Sequence, residues 1–166
     1  MKERTKEGGQ SRSRRDRRIQ GRVGDAYKVG RKYSEPTMCP ECSAVFHEGR
    51  WTWGTPPNES KKQRCPACQR IRDKAPAGSL EIGGPFFEAH REEILNLARN
   101  EETLEKEEHP LNRIMGIEEK GKDLVITTTD VHLPSRIGKA LQHSYQGGLA
   151  IHFGEEADFF RASWRR

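Results

Sequence analysis

The chain has 166 residues, of which 33% are charged and 32% hydrophobic, and its mean hydropathy is −0.98. No stretch approaches the roughly 18 consecutive apolar residues of a membrane helix. The first residues lack the apolar core of a signal peptide, and four cysteines are too few for a disulfide-rich secreted scaffold. We therefore expect a soluble cytoplasmic protein with no membrane partner, too short and too poor in motifs for most large enzyme folds.

The basic charge of the chain is concentrated at its start. Residues 1–32 hold 12 Lys/Arg and 4 Asp/Glu, a net charge of +8, whereas residues 33–166 have a net charge of −3. This arm, rich in Arg, Gly and Ser, is predicted to be disordered in the free protein. Arginine pairs with phosphate at two points, which favours RNA binding; the alternative is a solubilising tail without a specific target. The candidate RNA contacts here are Arg12, Arg14, Arg15, Arg17 and Arg18.

Residues 33–75 carry all four cysteines, in two matched pairs. Cys39-Pro-Glu-Cys42 and Cys65-Pro-Ala-Cys68 are separated by 22 residues, and this is the sequence form of a four-cysteine zinc ribbon with two knuckles. Four thiolates leave no open coordination position, so we predict a structural Zn²⁺ that replaces the core a segment of about 40 residues cannot build. The alternatives are two disulfides, a redox pair, or a variant site in which His47 is a ligand.

Two tryptophans lie between the cysteine pairs. Trp51 and Trp53 alternate on a predicted strand and should face the same side. They are expected to pack in the ribbon core or against the next domain, although a base-stacking platform is the alternative interpretation.

Residues 76–110 are predicted to form a linker and a long amphipathic helix. Glycines and prolines between residues 72 and 85 indicate a linker or tight turns, and Pro85 suits the first position of a helix. The helix should end before Pro110. Its apolar stripe is Phe87, Ile94, Leu97 and Leu104.

Residues 111–166 are predicted to form a β-β-α-β-β domain, which makes the fold class α+β. Strands are expected at 111–119 and 124–129, where β-branched residues are frequent, and again at 148–153 and 159–164. Asp130 should cap the helix between the two strand pairs, which runs to about residue 146.

That second helix carries a basic stripe opposite its apolar face. Arg136, Lys139 and His143 recur at helical spacing and suit a helix laid along a phosphate backbone; the alternative is an ordinary solvated face. The glutamate-rich C-terminal end of the long helix is interpreted as a solvated surface. The alternatives are that it binds the arginine-rich arm or a basic ribosomal protein.

The sequence offers no catalytic constellation. The segment Gly116–Asp123 resembles a phosphate loop, but Asp123 replaces the Ser/Thr that would bind magnesium. Without a paired acid and base or an open metal site, we expect the protein not to be an enzyme.

A resemblance to the nonsense-mediated decay protein 3 family is carried by CPEC and CPAC, followed by RIMGIE, LVITTTDVHLPSRIGKAL and GGLAIHF. The chain looks closest to a small bacterial branch of zinc-ribbon proteins of unknown role, over roughly residues 39–166. The resemblance implies zinc ligation by the cysteines, a zinc-binding region ahead of α+β modules, and binding to the large ribosomal subunit. Family members usually carry several more Cys-x-x-Cys pairs, and this chain lacks the length for their later domains and for an export signal, so nuclear export is not implied.

Together these features predict a non-enzymatic zinc-ribbon protein that binds RNA, specifically ribosomal RNA of the large subunit, as a ribosome-associated factor. The alternative is a zinc-ribbon adaptor that binds proteins in transcription or ribosome quality control. An enzyme acting on nucleic acid is the third and least supported interpretation.

Overall fold

The computed structural model describes Tyr27 and residues 32–153 and 159–166. These residues form a mixed α+β structure with two separate sheets, which confirms the predicted fold class. The five predicted RNA contacts of the arm, Arg12, Arg14, Arg15, Arg17 and Arg18, lie outside the described residues. No helix in the described ranges combines the length and apolarity needed to cross a membrane.

The N-terminal unit, residues 33–75, is a small sheet followed by one helix. Its strands are β1 (Thr37–Met38), β2 (Val45–His47), β3 (Arg50–Thr52) and β4 (Lys61–Lys62), in the order β3-β2-β1-β4, and its helix is α1 (Pro66–Asp73). The apolar core holds little besides the cysteines and three rings. The ring of Tyr33 meets that of Trp51 edge-on at 5.0 Å between centroids, and Phe46 lies 5.5 Å from Trp51.

The C-terminal unit, residues 76–166, contains a five-stranded sheet with helices packed against it. Its elements are β5 (Gly78–Gly83), α2 (Pro85–Ala89), α3 (Arg91–Glu108), β6 (Ile114–Lys120), β7 (Asp123–Thr128), α4 (Leu133–Tyr145), β8 (Gly148–Phe153) and β9 (Phe160–Arg165). The strand order is β6-β7-β5-β9-β8, with β5 and β9 parallel and the other neighbours antiparallel.

The core of the C-terminal unit follows from alternation along its strands. Leu80 and Ile82 of β5 are fully buried, while Ser79 and Glu81, which alternate with them, are half-exposed, as expected for a sheet with one covered face. Helices α3 and α4 cover that face, and α4 contributes the buried Ile137 and Leu141. Trp164 of β9 is fully buried in the same cluster.

The prediction of a linker or tight turns over residues 72–85 is wrong, because residues 78–83 form β5, the central strand of the larger sheet. The glycines that suggested turns instead lie where another part of the chain comes too close to leave room for a side chain. A Cβ at Gly78 would lie 2.9 Å from a side-chain carbon of Pro134, and one at Gly83 would lie 2.2 Å from a carboxylate oxygen of Asp123. Residues 76–110 therefore belong to one unit with 111–166 rather than standing between two domains.

The predicted long helix is interrupted at His90. Helix α2 ends at Ala89 and α3 begins at Arg91, and α3 ends before His109-Pro110 as predicted. At the interruption, the ring of Phe86 contacts His90 and two groups from distant parts of the chain, Tyr145 and Arg166. The predicted apolar stripe is only partly buried: Ile94 is inaccessible, but Leu104 is 52% exposed.

The start of α4 is capped as the sequence predicts. The carboxylate of Asp130 accepts hydrogen bonds from the backbone N–H groups of His132, at 2.7 Å, and Leu133, at 3.1 Å. Pro134 lies in the first turn, where its missing N–H costs no helical hydrogen bond.

Candidate metal centre

The first cysteine pair lies in a tight turn between β1 and β2. The backbone N–H of Cys39 donates to Ala44 O at 2.8 Å, and the N–H of Ser43 donates back to Cys39 O at 2.9 Å. Ser43 adopts a left-handed conformation, with φ of 65°, which closes the turn. Cys39 and Cys42 therefore lie on one closed turn at the end of the inner strand pair, β1 and β2.

The second cysteine pair lies at the start of α1, so the prediction of a second knuckle matched to the first is corrected. Cys65 is the N-cap residue, and its Sγ accepts a hydrogen bond from the N–H of Cys68 at 3.4 Å. Pro66 occupies the first turn, where its fixed φ favours helix initiation. The first turn of α1 therefore carries both sulfur atoms of this pair.

The four sulfur atoms form one compact cluster. All four Sγ atoms of Cys39, Cys42, Cys65 and Cys68 lie within 4.8 Å of one another. The Sγ atoms of Cys42 and Cys65 are 3.7 Å apart, far beyond the roughly 2.0 Å sulfur–sulfur bond of a disulfide. All four cysteines are free. A tetrahedron with metal–sulfur distances of about 2.3 Å has edges of roughly 3.8 Å. The cluster therefore fits a tetrathiolate metal ion, and the alternative of two disulfides is wrong for this structure.

The metal site is closed. Cys39, Cys65 and Cys68 are buried and Cys42 is half-buried, and four thiolates complete a tetrahedral coordination sphere. Within the described ranges, the structure brings together a metal-ligating group of four cysteines without a histidine. His47, the variant ligand considered from the sequence, instead lies at the surface beside Glu35 at 3.9 Å.

A buried arginine from the C-terminal unit donates hydrogen bonds to the sulfur cluster. The guanidinium of Arg113 donates to Cys42 Sγ at 3.1 Å, and to Cys68 Sγ at 3.3 Å. It also reaches Cys65 Sγ at 3.7 Å. Arg113 is 7% exposed, and its Nε donates to Pro110 O at 2.7 Å. Sequence reasoning missed this residue, since a single arginine within a predicted strand carries no local signal.

The interactions within the cluster shift the pKa values of the thiols in opposite directions. The hydrogen bond with Cys65, together with the charge of Arg113, lowers the pKa of the Cys42 thiol well below its ordinary range. The same hydrogen bond and burial raise the pKa of Cys65, and burial raises the pKa of Cys68.

The two tryptophans have different environments. Trp51 is 9% exposed and packs against Tyr33 and Phe46 in the small core. Strand β3 ends at Thr52, and the indole N–H of Trp53 donates to Lys106 O of α3 at 2.6 Å. One tryptophan therefore packs in the core and the other contacts the next unit.

The predicted basic stripe on α4 is exposed, but its first member is engaged within the protein. Arg136, Lys139 and His143 face outward. The guanidinium of Arg136 bonds Glu101 at 2.8 Å and also contacts Glu105, both on α3. A phosphate would have to displace these carboxylates to bind Arg136.

No family model, curated protein or solved structure matches this chain.

Proposed function

We propose that this chain is a non-enzymatic protein that holds one structural Zn²⁺ in the cysteine cluster and binds ribosomal RNA of the large subunit through its basic N-terminal side. The zinc part rests on the donor set: four soft thiolates in a tetrahedral cluster select zinc among the common structural ions. When bound, the ion supplies the cross-link that holds the turn at Cys39 against the start of α1. A closed site has no position for substrate, which supports a role without catalysis.

The observation that carries the RNA part is the division of charge between the C-terminal unit and the rest of the chain, which is the arm together with the N-terminal unit. Residues 1–75 carry 19 Lys/Arg and 9 Asp/Glu, a net charge of +10, whereas residues 76–166 carry 11 and 16, a net charge of −5. A polyanion is attracted to the first part and repelled by the second. RNA contact is therefore assigned to the arm and the N-terminal unit.

One contact ties the arm to that unit. The hydroxyl of Tyr27 donates to Asp73 Oδ2 at 3.0 Å, and the guanidinium of Arg70 lies 4.3 Å above the Tyr27 ring. Both partners belong to α1. The adjacent Arg72 and Lys74 are exposed and add positive charge next to this contact.

The α4 stripe is assigned a secondary role. Arg136 is paired with carboxylates of α3, and α3 itself is rich in glutamate. Lys139 and His143 remain proposed contacts at the margin of the RNA. The choice of the large ribosomal subunit rests on the resemblance to the nonsense-mediated decay protein 3 family alone.

The alternative of a protein-binding adaptor is favoured by one observation. Two large apolar side chains are exposed on helices, Ile71 of α1 at 41% and Leu104 of α3 at 52%. Apolar contacts of this kind would give binding that changes little with ionic strength, unlike phosphate binding.

Filter binding of the full chain to large-subunit ribosomal RNA, at several salt concentrations, tests the proposal. Replacing the five arginines of the arm, Arg12, Arg14, Arg15, Arg17 and Arg18, by glutamine should weaken binding. The slope of log affinity against log salt should become shallower by about 0.7–0.9 for each phosphate that the variant no longer neutralises. The matched control, Arg136→Gln with Lys139→Gln, should have a smaller effect.

Unchanged affinity and salt slope in the arm variant would refute the assignment of RNA contact to the arm, and no measurable binding by the full chain would refute the RNA proposal. Co-sedimentation with the large subunit that resists high salt and survives the arm substitutions would favour the adaptor.

A further inference from the structure

The metal centre lies at the boundary between the two units rather than inside the N-terminal one. The cysteines come from residues 39–68, whereas the guanidinium that donates to three of their sulfur atoms comes from Arg113, just ahead of β6. Leu111 of the same segment packs against the cysteine-containing core. The contact of Trp53 with α3 is a second link between the units.

Arg113 is held in place from the C-terminal side. Its Nε donates to Pro110 O at 2.7 Å, and its backbone N–H donates to Thr129 Oγ1 at 2.9 Å. The side chain is therefore fixed to the larger unit, and its two terminal nitrogens are directed at Cys42, Cys65 and Cys68. A buried guanidinium requires compensating negative charge, because an unpaired buried charge costs several kcal/mol.

A divalent ion with four thiolates supplies that charge. The complex carries two net negative charges, and hydrogen bonds from charged donors to such anionic sulfur atoms are stronger than those to neutral thiols. The ion would cross-link the turn of Cys39 and Cys42 to the start of α1, and without it the three sulfur atoms that Arg113 contacts are no longer held together as one set of acceptors. Arg113 then loses its fixed partners, and the attraction between the units falls.

We propose that Arg113 is a positioning residue that makes metal binding the latch between the two units: the loaded cluster holds the segment of residues 109–114 against the N-terminal unit, and metal loss releases it. Arg113 in turn retards metal release by donating to the ligand sulfur atoms. This inference rests on the metal-binding part of the proposed function and is independent of RNA binding.

Metal transfer from the loaded full-length protein to a chromophoric zinc chelator tests the first half of the proposal. Arg113→Gln should weaken metal retention by about 10- to 100-fold, the range seen when groups that hydrogen-bond to metal ligands are removed. Arg113→Lys, which keeps the charge but has no planar fork, should give an intermediate value. The control Arg136→Gln removes an arginine that also bridges two elements without contacting sulfur, and it should release metal at the wild-type rate.

Hydrogen exchange on the wild-type protein tests the second half and needs no variant. The amides of residues 112–114 are all hydrogen-bonded, so they report on this segment. Chelation should raise their exchange rates together with those of α1, while amides between β5 and β7 stay protected.

Three outcomes are distinguishable. Wild-type protein without bound metal refutes the metal part of the proposed function. Bound metal, with wild-type release rates in both Arg113 variants, refutes the role of Arg113. Should those variants fail to fold, unchanged exchange at residues 112–114 after chelation of the wild type refutes the latch.

Discussion

The two units of this chain reach a defined structure by different means. In the C-terminal unit, thirteen buried side chains form one apolar cluster between the sheet and its helices. In the N-terminal unit, three of the six buried core residues are cysteines and two more are alanines. Burial of apolar surface contributes about 25 cal/mol per Å², so the larger unit has a driving force of its own, whereas the smaller one depends on its sulfur cluster.

Metal removal should produce the largest difference in stability between the two units. Exhaustive chelation, or Cys65→Ser, removes an interaction comparable to the roughly 10–16 kcal/mol of apparent metal-binding free energy in small zinc domains. The N-terminal unit should lose its ordered structure, seen as loss of the near-ultraviolet circular dichroism of Trp51. The C-terminal unit should retain a cooperative thermal transition.

The control for that experiment is Ser43→Ala, a substitution in the same turn that touches no sulfur ligand. It should leave metal content unchanged. Retention of the Trp51 signal in metal-free protein would show that the small core is sufficient by itself, and the two units would then not differ in this respect.

A tryptophan substitution in each unit should sharpen the contrast. Trp164 is fully buried and its indole N–H donates to Gln146 O at 2.8 Å. Trp164→Ala should reduce the free energy of unfolding of the C-terminal unit by about 3–5 kcal/mol, while metal stays bound in the folded protein. Trp51→Ala should instead lower metal affinity, because Trp51 packs in the same small core as the cysteines.

Denaturant unfolding and metal titration of the two variants separate these effects. Two results together would contradict the proposed difference between the units. They are unchanged metal affinity in Trp51→Ala, and metal loss from Trp164→Ala below its melting temperature.

The features that sequence predicted well are those fixed by local chemistry. Two Cys-x-x-Cys pairs predict a sulfur cluster because four ligands with this spacing satisfy a tetrahedron, whatever elements carry them. Asp130 predicts a helix start because a carboxylate two or three residues ahead can accept the free N–H groups. A run of β-branched residues, from Val125 to Thr129, predicts β7 for an equally local reason.

The features that sequence missed depend on distant contacts. Strand β5 was hidden because Gly78 and Gly83 look like turn residues until Pro134 and Asp123 are seen against them. The role of Cys65 as a helix cap was missed because both cysteine pairs share one sequence pattern. Arg113 was missed because its partners lie 45 to 71 residues away along the chain.

The smallest expected effect concerns Arg136, where a structural and an RNA-binding role compete. Its guanidinium is 41% exposed and its partner carboxylates, Glu101 and Glu105, are 22% and 11% exposed. Solvent screens such a pair, so Arg136→Gln should cost at most about 1 kcal/mol of the free energy of unfolding, and this cost should shrink at high salt. Thermal melts at two salt concentrations check this, with Arg99→Gln on the exposed side of α3 as the control.

The same variant decides which surface meets phosphate. Because the carboxylates of α3 already neutralise the Arg136 guanidinium, Arg136→Gln should lower RNA affinity less than the arginine substitutions in the arm do. Filter binding of both variants under identical salt measures this difference. A large fall in RNA affinity with an unchanged melting temperature would move the phosphate-binding surface from the arm to α4.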